Sequence, residues 1–141
     1  MKVKNIALLA AAVMVIAATG IGNAFAYTYS GTDQSNNNNG ALSTYSTAGG
    51  NPTVGGGQLL YLENAFYNTG TNTYYARLNV NGAIKGYSPA LSQYSYWWPD
   101  TVSVSASIYP GDHSIDVKHY WSTSSSSFSN YVQFNNPYHV I

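Results

Sequence analysis

The second half of the chain alternates regularly between apolar and polar residues. Positions 101–108 place valine, alanine and isoleucine on one face and threonine and serine on the other. Positions 113–121 repeat the pattern. Because successive side chains of a strand point to opposite faces, both segments predict half-buried antiparallel strands. Pro110-Gly111 between them suits either a longer hairpin loop or a crossing between two sheets.

Two further strands are predicted upstream. Positions 73–80 also alternate, and the Asn81-Gly82 pair that follows is a strong signal for a β-hairpin. We expect a three-residue loop that sets Val80 opposite Ile84, because strand register normally follows the apolar face. Positions 58–67 are apolar on both faces, which predicts a central strand.

No segment after residue 26 shows the apolar period of a helix. Seven to nine short strands separated by turn-forming residues instead predict an all-β fold. We expect residues 27–141 to form a single antiparallel β-sandwich, immunoglobulin-like because that version is the commonest at this length. A polar N-terminal arm is predicted over about residues 27–57. The tryptophan and cysteine spacing of antibody domains is absent.

The first 26 residues have the pattern of an export signal. Lys2 and Lys4 precede an uncharged apolar run over 6–21, and Ala24-Phe25-Ala26 provides a cleavage site. The run is shorter than the roughly 20 residues that cross a bilayer. We therefore predict a secretory signal peptide helix over 1–26 and a secreted, extracellular or cell-surface protein. Membrane contact is expected only if this segment stays uncleaved.

Charge is sparse in this chain, which has five basic and five acidic residues and no cysteine. The cations beyond residue 26 are Arg77, Lys85 and Lys118, and they are scattered. Nucleic-acid binding requires clustered Lys and Arg, so no nucleic-acid partner is expected. Without disulfides, stability must come from packing, hydrogen bonds or assembly. So few charges also provide little repulsion against self-association.

Familiar catalytic motifs are missing from the sequence, which has no thiol, no H-E-x-x-H and no phosphate-binding glycine loop with lysine. Glu63 is interpreted as a strand residue. His113 and His119 share a strand face opposite to that of Asp116, so these residues and Asp112 do not converge on a metal. We interpret them as a turn cap, edge histidines and a solvated face. The chain is predicted to be non-enzymatic, without cofactor or metal, with a glycan-active hydrolase as the alternative.

Aromatic residues crowd positions 93–101, QYSYWWPDT. On an extended segment Tyr94, Tyr96 and Trp98 share one face, and Trp97 lies on the other. Pro99 removes an N–H, which predicts an edge strand or a connection. We expect Trp98 in the core and Trp97 near solvent. The predicted ligand or partner contacts are Tyr94, Tyr96, Trp97 and Tyr87.

Three functions fit these features. The first is a secreted, non-enzymatic structural or adhesive β-domain that self-associates or contacts the cell envelope or glycans. Exposed strand edges and the β-prone positions 129–141 would recruit another chain. The alternative is a carbohydrate-binding module that uses Trp97 and nearby tyrosines as its platform. A further alternative is a secreted, bacteriocin-like antagonist.

Overall fold

The computed structural model describes residues 34–35 and 42–141. The predicted signal segment and much of the predicted arm lie outside the described residues. Within the described part, no helix is long and apolar enough to cross a membrane. The strands are β1 (Gln34–Ser35), β2 (Leu42–Thr47), β3 (Thr53–Val54), β4 (Leu59–Asn68), β5 (Tyr75–Val80), β6 (Ala83–Tyr87), β7 (Tyr96–Trp97), β8 (Val102–Ser105), β9 (Gly111–Ser122) and β10 (Asn130–Val140).

The strands form two sheets that pack face to face. One sheet has the order β3-β10-β9-β5-β6. The other has the order β1-β2-β4-β7, and β8 pairs with β4 as well. The run β10-β9-β5-β6 matches the G-F-C-C′ order of immunoglobulin-like domains. The predicted all-β, immunoglobulin-like sandwich is confirmed, and its pairing is antiparallel except where β3 runs parallel to β10.

β4 is the central strand of its sheet, as predicted. It pairs with β2 along one edge and with β7 and β8 along the other. Leu60, Leu62 and Phe66 point into the sandwich and are buried. They meet Leu78, Val117 and other apolar residues of the opposite sheet, so the core lies between β4 and the β5–β9 pair.

The β5–β6 hairpin has a two-residue turn, so the predicted three-residue loop is wrong. Val80 pairs with Ala83. Asn81 and Gly82 have φ values of 49° and 82°, the positive values that a type I′ turn requires at both positions. The local preference of Asn-Gly decided the register, because β6 is an edge strand on which Ile84 can remain half-exposed.

The two alternating segments at 101–108 and 113–121 lie in different sheets. β8 pairs with β4, whereas β9 pairs with β5 and β10. Pro110-Gly111 therefore belongs to a crossing between sheets, one of the two predicted alternatives. Gly111 has a φ of 118°, which disfavours any side chain there. β8 is shorter than predicted: it ends at Ser105, and Ile108 is 70% exposed although it was expected on the apolar face.

His119 lies in the middle of the core, so its interpretation as an edge histidine is wrong. Its ring packs between Phe66 and Phe134, with centroid distances of 4.3 and 4.8 Å. Its Nε2–H donates to Asn64 Oδ1 at 2.8 Å, and burial lowers the pKa of the imidazole to about 3. In antibody domains a disulfide joins strands B and F. Here β4 and β9, the corresponding strands, are joined by this hydrogen bond.

Candidate functional site

β7 and β8 are two parts of one interrupted edge strand beside β4. Trp97 pairs with Phe66 and Val102 pairs with Leu62. Between these pairs the edge strand has four residues and β4 has three, so the edge strand carries one extra residue. Pro99 lies at this point and has no N–H to donate. The predicted interruption of the ladder at Pro99 is confirmed.

The extra residue reverses the expected roles of the two tryptophans. Alternation continued backwards from Val102 places Trp98 inside, but one inserted residue shifts the parity by one and turns Trp97 inside instead. Trp97 packs on the Phe66 ring at a centroid distance of 4.9 Å and against the core. Trp98 is 39% exposed. The expectation of a buried Trp98 and an exposed Trp97 is therefore wrong.

An aromatic patch covers the outer face of β4 and β7. Tyr67 and Tyr96 stack at 4.4 Å between ring centroids, and the Trp98 ring meets Tyr96 edge-on at 6.3 Å. Partial burial, followed by repulsion from the Tyr67 phenolate, raises the pKa of the Tyr96 hydroxyl to about 12. Burial and the neighbouring Tyr94 raise the pKa of Tyr67 as well. Tyr67 and Tyr96 thus stay uncharged at physiological pH. With Tyr94 and Trp98 they make up the aromatic patch.

An open groove of about 460 Å³ runs between this edge strand and β6 of the opposite sheet. The Trp97 indole lies over Gly86. A Cβ added to Gly86 would make ordinary van der Waals contact with the ring, at 3.5 Å from its nearest atom. Lys85 and Asp100 bring one cation and one carboxylate to the lining. Hydroxyl groups and apolar side chains complete it. The lining residues are Lys85, Gly86, Trp97, Trp98, Pro99, Asp100, Thr101, Val102 and Ser103.

The four predicted contact residues do not form one site. Tyr94 and Tyr96 lie on the aromatic patch, whereas Trp97 faces inward and lines the groove. Tyr87 lies in the opposite sheet, where its ring contacts Phe128 at 5.8 Å. Sequence reasoning overlooked Tyr67 on the patch and Lys85 and Asp100 in the groove. The outward parity of Tyr67 along β4 could have revealed the first, but the groove residues meet only through tertiary packing.

A second surface is the outer backbone edge of β10. β10 pairs with β9 over eleven consecutive positions without a break in register. On its other edge, among the described residues, only β3 pairs with it, at His139 and Val140. The His139 and Ile141 amides donate to carbonyls of the β3 region. Since successive amides of a strand point to opposite edges, those of Tyr131, Gln133 and Asn135 face the uncovered part of this edge.

The isolated candidates for metal or acid–base chemistry stay separate. Asp112 pairs with His139 Nδ1 at 2.7 Å on an exposed surface, and Asp116 accepts from Gln133. His113 Nε2 lies 2.8 Å from the Tyr109 carbonyl oxygen, far along the strand from the core residue His119. Within the described residues no three His, Cys, Asp or Glu side chains gather as a metal site would require.

No family model matches the chain, and no curated protein matches its sequence. Similar solved structures include the crystal structure of the CARDB domain of the PF1109 protein of Pyrococcus furiosus in complex with di-metal ions, at 13% identity and a TM-score of 0.40, covering 70% of this chain and 89% of that one. The solution structure of the same domain has 13% identity and a TM-score of 0.43, covering 72% and 98%.

Proposed function

We propose that the chain is an exported, non-enzymatic structural or adhesive β-domain that self-associates at the cell surface. The observation that supports this proposal is the outer edge of β10, with which β3 alone among the described residues pairs, at the C-terminal end of the strand. Edge strands are usually protected against pairing by charged side chains, bulges or proline. The stretch from Asn130 to Asn136 has none of these three features. Such an edge pairs with a strand of another chain through main-chain hydrogen bonds.

The edge strands on the opposite side of the sandwich are protected against pairing with another chain. β6 carries Lys85 as an extra residue in its pairing with β5. The β7–β8 edge is interrupted at Pro99. Both devices discourage strand addition, and neither occurs between residues 130 and 136 of β10. Self-association is therefore expected on the β10 side of the molecule.

The test uses proline at an outward-facing amide of β10. Asn135→Pro removes one N–H from the uncovered edge and places a ring there, while the bonds to β9 come from the alternate residues. Pro137 already occupies an outward position in the same strand. We expect Asn135→Pro to weaken self-association about tenfold or more, corresponding to at least 1.4 kcal/mol.

The matched control is Asn135→Ala, which removes the same side chain and keeps the amide. Sedimentation velocity across a concentration series and electron microscopy of the exported protein provide the readout. Equal association of the two variants would contradict edge pairing, and a wild-type protein that stays monomeric at millimolar concentration would contradict self-association. Mass spectrometry of the same sample tests export, with Tyr27 as the expected first residue.

The groove favours a second candidate function, the binding of a neutral glycan. Its volume falls within the roughly 300–1,000 Å³ of small-molecule sites. The Trp98 ring offers an apolar face for the C–H groups of a sugar, and Lys85 and Asp100 supply a donor and an acceptor for its hydroxyls. Trp98, and not Trp97, is the informative position, because Trp97 also packs on the core.

Tryptophan fluorescence during titration with a panel of neutral oligosaccharides tests this candidate. We expect Trp98→Ala to abolish the response, whereas Tyr87→Ala, on the outer face of the other sheet, leaves it unchanged. A flat response of the wild-type protein to the whole panel would exclude a glycan site in the groove.

A further inference from the structure

We infer that the partner of the β10 edge is the β10 edge of a second copy, paired antiparallel about a two-fold axis at Gln133. This inference rests on the proposed self-association and specifies its geometry. Two identical edges that pair antiparallel generate a closed, isologous dimer. The two five-stranded sheets would then join into one continuous sheet across the dimer.

The backbone sets the register of this pairing. Outward amides are available at Tyr131, Gln133 and Asn135 and stop at Pro137, which has no N–H. A two-fold axis at Gln133 pairs Gln133 with its own copy and Tyr131 with the partner's Asn135. All three outward amides of each copy then donate. A shift by two residues in one direction places Asn135 opposite Ser129, which lies outside the strand, and a shift in the other direction places Tyr131 opposite Pro137, which accepts a hydrogen bond but has no N–H to return one.

Side chains on the outer face are compatible with this register. The two Gln133 side chains lie beside the axis, where each donates to Asp116 of its own β9 and retains a second N–H and a carbonyl oxygen for further hydrogen bonds. Tyr131 lies beside the partner's Asn135, and neither residue is charged. Lys118, which is the β9 neighbour of Gln133, would lie about 14 Å from its copy, three strand spacings away. That separation exceeds the roughly 8 Å screening length in physiological salt, so repulsion between the two lysines is weak.

The occupant is a second copy because the edge is self-complementary. It carries no charge from residue 130 to 136, so a two-fold axis brings no like charges into direct contact. After the predicted cleavage the exported chain has three basic and five acidic residues, and its formal net charge of −2 with neutral histidine leaves only weak long-range repulsion between copies. A charged or strongly basic partner would find no counter-charge along this edge.

Spin labels on introduced cysteines measure the register, since the chain has no cysteine of its own. Ser129→Cys and Ile141→Cys place labels just outside the two ends of β10, where they do not interfere with pairing. For a two-fold axis at Gln133 and about 3.4 Å per residue, the distances between equal labels are about 27 Å for position 129 and about 54 Å for position 141. Pulsed dipolar spectroscopy on the full-length exported protein reads both.

The outcomes separate the register from self-association itself. A dimer with the two expected distances, both lost in Asn135→Pro, supports the inference. A dimer with a distance of about 5 Å at both positions indicates parallel pairing and overturns the two-fold register, but not self-association. Growth beyond the dimer into filaments overturns the closed dimer in the same way. A protein that stays monomeric overturns both proposals.

Discussion

The two sides of the sandwich are closed in different ways. The groove side consists of β6 and the β7–β8 edge, and the open side consists of β2 and β10. On the groove side each edge strand carries an extra residue, and the Trp97 ring packs between Phe66 and Gly86. On the open side the pairing is regular, and a buried hydrogen bond of 3.0 Å from Asn136 to Ser46 joins the sheets.

The difference shows how one small domain can combine a protected edge with an uncovered one. Bulges and Pro99 make the groove side unsuitable for strand addition, and Pro99 also lines the groove. The open side keeps regular backbone geometry, and its outer edges have only two-residue partners among the described residues, β1 on β2 and β3 on β10. On the groove side the Trp97 ring packs between the sheets, and on the open side the Asn136–Ser46 hydrogen bond joins them beside the apolar core.

The largest expected effect is on the groove side. Trp97→Ala should lower the free energy of unfolding by about 3 kcal/mol, because it removes a large ring that packs on the core. Trp98→Ala, the adjacent control, should cost about 1 kcal/mol or less, since its ring is more exposed. Urea unfolding monitored by circular dichroism measures both. Equal losses of the free energy of unfolding would contradict the assignment of Trp97, and not Trp98, to the core.

The buried hydrogen bond from His119 on β9 to Asn64 on β4 predicts that the folded protein loses stability in acid. Folding lowers the pKa of His119 from 6.5 to about 3. Between these two pH values the His119 imidazole is therefore protonated in the unfolded chain and neutral in the folded chain. Stability is complete above pH 6.5 and falls as the pH drops towards 3, by about 1.4 kcal/mol per pH unit. We expect a loss of roughly 2–3 kcal/mol between pH 6.5 and 4.5. His119→Gln should flatten this slope in urea titrations, and an unchanged slope would assign it to other groups.

The next largest effect on the free energy of unfolding is expected from the Asn136–Ser46 hydrogen bond on the open side. Asn136→Ala removes a buried amide from its hydroxyl partner and should cost about 2 kcal/mol. A double-mutant cycle with Ser46→Ala should show a coupling of about 1 kcal/mol. Asn135→Ala, one residue away and exposed, is the control and should change stability by less than about 0.5 kcal/mol. Additive losses in the cycle would indicate that the hydrogen bond does not join the sheets.

The smallest expected effect concerns the turn of the groove-side hairpin. Gly82 has a φ of 82° and open space around its Cα, so Gly82→Ala should cost about 1 kcal/mol from backbone strain alone. Gly86→Ala on β6 is the matched control: its new Cβ would make ordinary contact with Trp97, and stability should stay the same or rise slightly. Thermal unfolding compares the two variants, and equal costs would argue against a type I′ turn.

The sequence determined the fold class and most of the strands. Alternation located β5 and β9, apolar residues on both faces identified β4 as central, and Pro99 marked the interrupted edge. Each inference used a local rule, because strand periodicity and proline chemistry act over a few residues. The aromatic stretch was also correctly divided, with Tyr96 and Trp98 on one face and Trp97 on the other.

Only the tertiary structure decided which of those faces points inward. One extra residue between β7 and β8 turned Trp97 towards the core, and the Asn81-Gly82 turn set a register that left Ile84 half-exposed. Alternation cannot detect an inserted residue, because a single insertion exchanges the two faces of everything beyond it. The bridge from His119 to Asn64 and the uncovered edge of β10 arise for a related reason. They depend on which strands become neighbours, and the chain determines that only when both sheets pack together.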